Sequence, residues 1–350
     1  MNILITGSSG LIGSEAVEYY SKRGHSVFGI DNNMRKYFFG EKGDTLWNVD
    51  RLKNKYNNYS HFDIDIRDFE KVDDIIKTNK FNCIIHCAAQ PSHDKAADIP
   101  LIDFHVNATG TINLLEATRR HSAETVFIYM STNKVYGDTP NKIPLIELET
   151  RWDYKDKINY NGINEKLTVD QSTHSLFGAS KLSGDIIAQE YGRYFNMNVG
   201  VFRGGCLTGP MHSGVELHGF LSYLVKVAIA KEKYTVFGYK GKQVRDNIHS
   251  LDVIRAFNCF IENPKQGEVY NLGGGRQNSI SILEAIKQIE ESLNYGVEWS
   301  YNSENRVGDH ICYISDLSKF QAHYPAWSLS ITIDDILSEL ITFELKKKHN

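Results

Sequence analysis

Near the N-terminus, Thr6-Gly7-Ser8-Ser9-Gly10-Leu11-Ile12-Gly13 lies between a short apolar run and a stretch of helical period. In that context a glycine-rich turn suits a dinucleotide. Gly7 permits the tight turn, Gly10 lets backbone approach a pyrophosphate, and Gly13 lets the helix pack closely, while the helix start at Leu11 and Ile12 meets the phosphates. Asp31, followed by Asn32, ends the second apolar run about 20 residues further on, where a carboxylate accepts hydrogen bonds from the adenosine ribose. A 2'-phosphate would be repelled there, so the spacing predicts NAD rather than NADP. Further along, Ser131-Thr132-Asn133-Lys134-Val135-Tyr136-Gly137 follows an apolar run, and Lys181 lies one helical turn after Phe177. Arg245 and Arg306 carry planar forks that suit paired phosphate oxygens, although their spacing makes no motif in itself.

The elements that must position these residues alternate. Apolar runs at 2–6, 26–30, 60–64, 83–86, 125–130, 198–202 and 268–272 read as strands, and stretches at 12–23, 69–78 and 104–121 read as helices. Alternation of this kind predicts an α/β fold, a doubly wound parallel sheet with helices on both faces. The expected division is a cofactor domain over 1–205, to which 240–275 returns, and a smaller C-terminal substrate-binding domain made of 206–239 and 276–350. Part of the sequence between the strands at 198–202 and 268–272 is expected to form a lid.

A composition of 41% hydrophobic and 23% charged residues with a formal net charge of -4 is that of a globular protein and argues against nucleic acid as a partner. Five cysteines, mostly in apolar runs, suit reduced thiols and neither a disulfide framework nor a metal site. No signal peptide or membrane span is expected, which predicts a cytoplasmic protein.

Taken in order, these segments resemble the extended short-chain dehydrogenase/reductases, and within them the NAD-dependent nucleotide-sugar epimerases and dehydratases. The likeness runs from Met1 to about Trp327. It is closest to the CDP-paratose 2-epimerase group, on Ser131 to Asp138, Gly241-Lys242-Gln243-Val244-Arg245-Asp246 and Asn271-Leu272-Gly273-Gly274. The resemblance implies a Rossmann-type fold, NAD, a nucleotide-diphosphate sugar as substrate, and a homo-oligomer paired through the helices near 104–121 and 179–195. It implies an epimerase that oxidises one sugar carbon to a ketone and returns the hydride to the other face. Asp65-Ile66 would hold the adenine, although Asp65 could equally cap the following helix. The cofactor would lie against Ala88, Ala89 and Gln90, and Asn107 matches a family asparagine. Thr132 matches the catalytic hydroxyl, with Asn133 and Lys134 beside it facing the sugar. Lys181 matches the lysine that lowers a tyrosine pKa and binds the nicotinamide ribose. Arg203 falls on the substrate side, and Arg245 and Arg306 on the diphosphate.

One position departs from this pattern: Phe177 stands where the family carries the catalytic tyrosine. Three explanations stand open: a substitution made to trap substrate, a branch that uses another base (His174, Cys206 and Tyr160 being possible groups), or a sugar-nucleotide binder without turnover. The family-like flanks argue against decay of the whole site. Dehydration is disfavoured because dehydratases resemble Thr-Asp-Glu where this chain has Thr132-Asn133-Lys134.

Overall fold

The computed structural model describes residues 1–212, 214, 219–305 and 308–349. The chain folds as two compact units, the first made of Met1–Val135, Ser175–Gly204 and Val253–Tyr270, the second of Tyr136–His174, Gly205–Asp252 and Asn271–Asn350. The division differs from the expected one, since 136–174, 205, 240–252 and 271–275 belong to the second unit.

A seven-stranded sheet dominates the first unit. Its strands are β1 (Asn2–Thr6), β2 (Ser26–Ile30), β3 (Tyr59–Phe62), β4 (Cys83–His86), β5 (Val126–Thr132), β6 (Val199–Gly204) and β7 (Glu268–Leu272), in the order β7-β6-β5-β4-β1-β2-β3. The ladders from β3 across to β6 are parallel. The order reverses at β1 and β4, which is the switch point where α/β sheets bind ligands. Helices α1 (Leu11–Lys22), α2 (Phe69–Asn79), α3 (Gly110–His121) and α4 (Ser175–Tyr194) flank the sheet. Because both faces are covered, the central strands are apolar without alternation, and all four residues of β4 are buried. The core runs through Leu4, Ile84, Leu114, Phe127 and Val201. Two helices not anticipated from the sequence, Met34–Phe39 and Leu46–Lys55, follow β2. The expected helix over 104–121 starts earlier, at Pro100, and passes through one π-type stretch, His105–Thr109, before α3.

In the second unit, Val244–His249 is the central strand, bonded to Ser279–Ser281, Cys312–Tyr313 and Cys206–Thr208. Its apolar core joins helices Phe220–Ala230, Ile282–Leu293 and Ile333–His349 through Leu224, Val227, Ile286, Ile289, Leu337 and Leu340. A reciprocal capping pair, Ser281 with Glu284, starts the second of these helices. Of the expected lid, Ser213 and 215–218 lie outside the described residues.

Asp246 ties this unit together. Its buried carboxylate accepts the backbone N–H groups of Ser315 (2.9 Å) and Gly275 (3.3 Å). A Cβ on Gly273 would lie 2.0 Å from Asp246 Oδ2, so the loop approaches that closely because glycine is there. Burial pushes the Asp246 pKa up to about 6 against the pull of those N–H groups. A carboxyl raised in the folded state contributes stability that is full below its unfolded pKa, near 4, and is lost as pH rises through about 6. An amide at this position would not titrate. In urea melts, Asp246→Asn is therefore expected to gain on the order of 1 kcal/mol relative to wild type between pH 5 and 7.5. A difference that stays constant across that range contradicts a raised Asp246.

Candidate active site

The glycine turn closes between β1 and α1. Gly7 adopts φ +67°, and a Cβ there would lie 2.8 Å from the backbone nitrogen of Ala88, beyond the end of β4. A Cβ on Gly13 would lie 2.0 Å from the Gly7 carbonyl oxygen, so helix and turn pack this tightly through glycine. At Gly10 the nearest obstruction is that same oxygen, at 3.3 Å. Gly10 caps α1 without a side-chain hydrogen bond, and the first turn, with Leu11 and Ile12, carries no acidic residue. A helix start with unspent N–H groups and no competing carboxylate fits a pyrophosphate.

Asp31 follows β2 and turns toward the same loop. Its Oδ2 accepts from Ser9 N (3.0 Å) and Ser9 Oγ (2.5 Å), its Oδ1 from Asn33 N (2.9 Å). Arg35, not singled out from sequence, feels the Asp31 charge, yet burial brings its pKa down to about 10. Asn32 donates to Asp65 (3.2 Å). Asp65 is held by Arg67, whose Nε and Nη2 reach its carboxylate at 3.0 and 2.6 Å, and Asp68 caps α2. The cap reading of Asp65 is thereby corrected. Burial raises the Asp65 pKa, but the bonds from Arg67 outweigh it and hold the group below the ordinary carboxylate range. The Ile66 side chain packs into the core, against Gly110. Ala88 and Ala89 are half-buried beyond β4. The buried Gln90 amide donates to Ser92 O (2.8 Å) and Asp103 (2.7 Å), and Asn107 donates to Gln90 O (3.1 Å), Asp103 (3.1 Å) and Ser180 (3.0 Å). Gln90 and Asn107 thus brace the loop after β4 against α4 through a polar cluster.

The catalytic candidates meet where β5 ends. Successive residues of β5 grip α4: Tyr129 Oη reaches Lys181 O at 3.4 Å, Met130 O accepts Lys181 Nζ at 2.9 Å, and Ser131 Oγ donates to Asp185 at 2.6 Å. Thr132 follows, accepting Lys134 N at 3.3 Å, with the Asn133 amide oxygen at 3.5 Å. Lys181 is 3% exposed, and its ammonium lies 4.3 Å from the centre of the Tyr129 ring. Burial lowers its pKa to about 8. Phe177 is buried, its ring 4.9 Å from that of His93.

Arg203 is placed differently from expectation. Its guanidinium grips Asp185 through Nε (3.0 Å) and Nη2 (2.8 Å). Both residues are buried, so Arg203 braces α4 against β6. In the second unit, Arg245 is buried and pairs with Asp309 at 2.6 Å while donating to Val244 O at 2.8 Å. Burial disfavours its charge, but the Asp309 carboxylate outweighs that and raises its pKa. Arg306 lies outside the described residues. Of the suggested substitute bases, His174 turns to Ser172 O (2.9 Å), Tyr160 is largely exposed under the Arg276 guanidinium, and Cys206 sits on the strand bonded to Asn247–His249. Sequence reasoning missed His93, Asp103 and Asp185. His93 stands 82 positions from the serine it contacts, which no spacing rule connects. Asp185 could have been found, since it lies one turn beyond Lys181 on the same helix face.

The chain matches the family described as NAD dependent epimerase/dehydratase over residues 3–273. The CDP-paratose 2-epimerase of Salmonella typhi is 31% identical, with 96% of each chain covered. The UDP-glucuronate 4-epimerase of Thermodesulfobacterium geofontis is 25% identical over 97% of this chain and 95% of its own. Among solved structures, UDP-glucuronic acid 4-epimerase from Bacillus cereus, in complex with UDP-glucuronic acid and NAD, superposes with a TM-score of 0.81 at 24% identity, covering 99% of this chain and 100% of that one. The dTDP-glucose 4,6-dehydratase of Bacillus anthracis, in complex with NAD, does so with a TM-score of 0.78 at 23% identity, covering 100% and 98%. Likeness at such identity carries the fold, here the Rossmann-type sheet. The family match over most of the chain and the fitted glycine turn together place this protein in the NAD dependent epimerase/dehydratase family, an enzyme family of extended short-chain dehydrogenase/reductases whose cofactor, NAD, it shares.

Proposed function

We propose that this chain epimerises a nucleotide-diphosphate sugar, with a CDP-sugar of the paratose type as substrate. The observation that carries this reading is the full-length likeness to CDP-paratose 2-epimerase. Asn133 and Lys134 support it, since neither side chain is a carboxylic acid able to assist removal of water. Bound NAD would supply a hydride acceptor that gives the same hydride back. Around it, the N–H groups from Gly10 to Ile12 hold the pyrophosphate, Asp31 the adenosine ribose and Asp65-Ile66 the adenine, with Ala88, Ala89 and Gln90 alongside. Lys181, with its Nζ fixed on Met130 O, sets positive charge beside the nicotinamide ribose. Thr132 Oγ hydrogen-bonds the reacting sugar oxygen, with Asn133 and Lys134 orienting the ring. Arg245 and Arg306 take the diphosphate, Arg245 exchanging part of its bond to Asp309 for phosphate oxygen. The second reading, a binder without turnover, is favoured by Phe177, which has no proton to exchange.

Pairing of two chains belongs to the same proposal. On the first unit, Leu101 (74% exposed), Phe104 (47%) and Ile186 (45%) present apolar side chains to solvent on the helices expected to pair, while Ile187 packs inward. A light-scattering mass of a single chain would contradict it.

Incubation with CDP-paratose is expected to give its C2 epimer, seen by proton NMR, with transient absorbance of reduced nicotinamide. No epimer from CDP-paratose or from a panel of GDP-, UDP- and dTDP-sugars would leave the binder. Arg245→Ala is expected to weaken the sugar nucleotide by about 2 kcal/mol, through the lost charge-assisted bonds. NAD affinity, measured in the same calorimeter, should stay nearly unchanged. An equal loss of NAD affinity contradicts the assignment of Arg245.

A further inference from the structure

We propose that His93 is the general base of the reaction, in place of the phenol that Phe177 lacks. This rests on the epimerase reading above. The short helix His93–Asp98 packs against α4 and lays the His93 imidazole on the Phe177 ring, with centroids 4.9 Å apart and planes tilted by 55°. Position 177 is where the resemblance places the reacting hydroxyl, so the imidazole stands beside the point at which a proton has to be taken. Among the described residues, it is a group suited to proton exchange that lies in ring contact with Phe177.

The ring is oriented as well as placed. Nδ1 of His93 lies 3.1 Å from Oγ of Ser175, the residue that opens α4. Ser175 holds φ at +58°, a conformation that is costly for a non-glycine residue and persists where the surroundings fix it. Its hydroxyl also accepts the N–H of Gly178 at 3.2 Å, which locks the oxygen to the first turn of the helix. With Nδ1–H donated to that oxygen, the lone pair that acts as base is on Nε2. His93 is partly exposed. The ionisable groups on the helices packed against its own include Lys181 and Asp185 on α4 and Asp103 on Pro100–Phe104, whose pKa burial raises. Asp185 is spent on Arg203, and Lys181 is bonded to Met130 O. On its own helix Lys95 and Asp98 pair at 3.7 Å, with Asp94 exposed beside them.

In the forward step Nε2 takes the hydroxyl proton of the sugar. The O–H bond breaks and an N–H bond forms, as hydrogen leaves the same carbon with its electron pair for NAD and the C–O bond becomes a ketone. On the return the imidazolium gives that proton back to the oxygen as hydride re-enters on the opposite face. Charge and atoms balance within the site. Lys181 then has no phenol to activate, and its ammonium serves binding alone.

The test uses the full chain and CDP-paratose. Wild type should show an acid limb in kcat, as a reaction that needs an unprotonated imidazole does. His93→Ala should lose about 10²- to 10⁴-fold in kcat with little change in KM, lose that limb, and regain at least about ten-fold when imidazole is added to the buffer. In the resting wild-type protein, ¹⁵N NMR of labelled histidine should show His93 protonated on Nδ1, a readout that needs no substrate. Turnover by His93→Ala within about three-fold of wild type, or an inflection near 8 that instead follows Lys181, overturns the proposal even though the epimerase reading stands. An Nε2–H tautomer overturns it as well. Absence of turnover in wild type across the sugar-nucleotide panel removes the epimerase reading, and the proposal with it.

Discussion

Asp185 is fully buried on α4, and a carboxylate taken out of water in this way has to be neutralised by close partners. Arg203 on β6 supplies two bonds and Ser131 on β5 a third, with Gln189 donating a fourth at 2.7 Å. Removing either member of the charged pair would leave the other buried without its opposite charge, at a cost of about 3–5 kcal/mol. The ion pair therefore pins one helix to the ends of two strands, and the rest of the candidate catalytic site hangs from that attachment. One turn before Asp185, Lys181 reaches Met130 O; one turn before that, Phe177 meets His93. The residue after Ser131 is Thr132. Gly184 completes the fit, because a Cβ there would lie 2.5 Å from Tyr129 Oη and 2.9 Å from Asn107 O.

That arrangement explains how the tyrosine position can change while its surroundings do not. The bonds that fix α4 run through Asp185, Lys181 and Ser180, and none of them uses the side chain at 177. Loss of the hydroxyl removes a proton donor without loosening the helix. A base from another element, as proposed for His93, needs only a neighbouring place, and the short helix His93–Asp98 brings the His93 ring against that of Phe177. The polar cluster of Gln90, Asp103 and Asn107 holds that loop, and burial keeps the Asp103 pKa raised even with its hydrogen-bond donors.

Much of this was legible in the sequence where the signal is local. Gly7 and Gly13 occupy positions where a Cβ would collide with backbone, and Asp31 sits at the strand end that the spacing indicated. The strands of the sheet fell within a few residues of expectation because parallel strands buried on both faces are short and uniformly apolar. The errors came from long-range pairing. The pairing of Arg203 with Asp185 is of this kind, since nothing in an arginine's neighbours in sequence says which partner it will have. Residues 136–174 follow a strand of the first unit yet fold into the second, where Tyr136 bonds Asn271 at 2.8 Å and Asn271 bonds Ile163 O at 2.7 Å. Those contacts join positions more than a hundred residues apart, which no periodicity reveals.

The central claim is that configuration is inverted by removing and returning a hydride within one site, with the chain's own groups moving only the hydroxyl proton. Turnover of CDP-paratose in D2O measures this directly. The account predicts a product whose inverted carbon keeps its original hydrogen, with no deuterium from solvent. One deuterium at that carbon for each turnover would mean that the protein inverts by proton abstraction, and would contradict it.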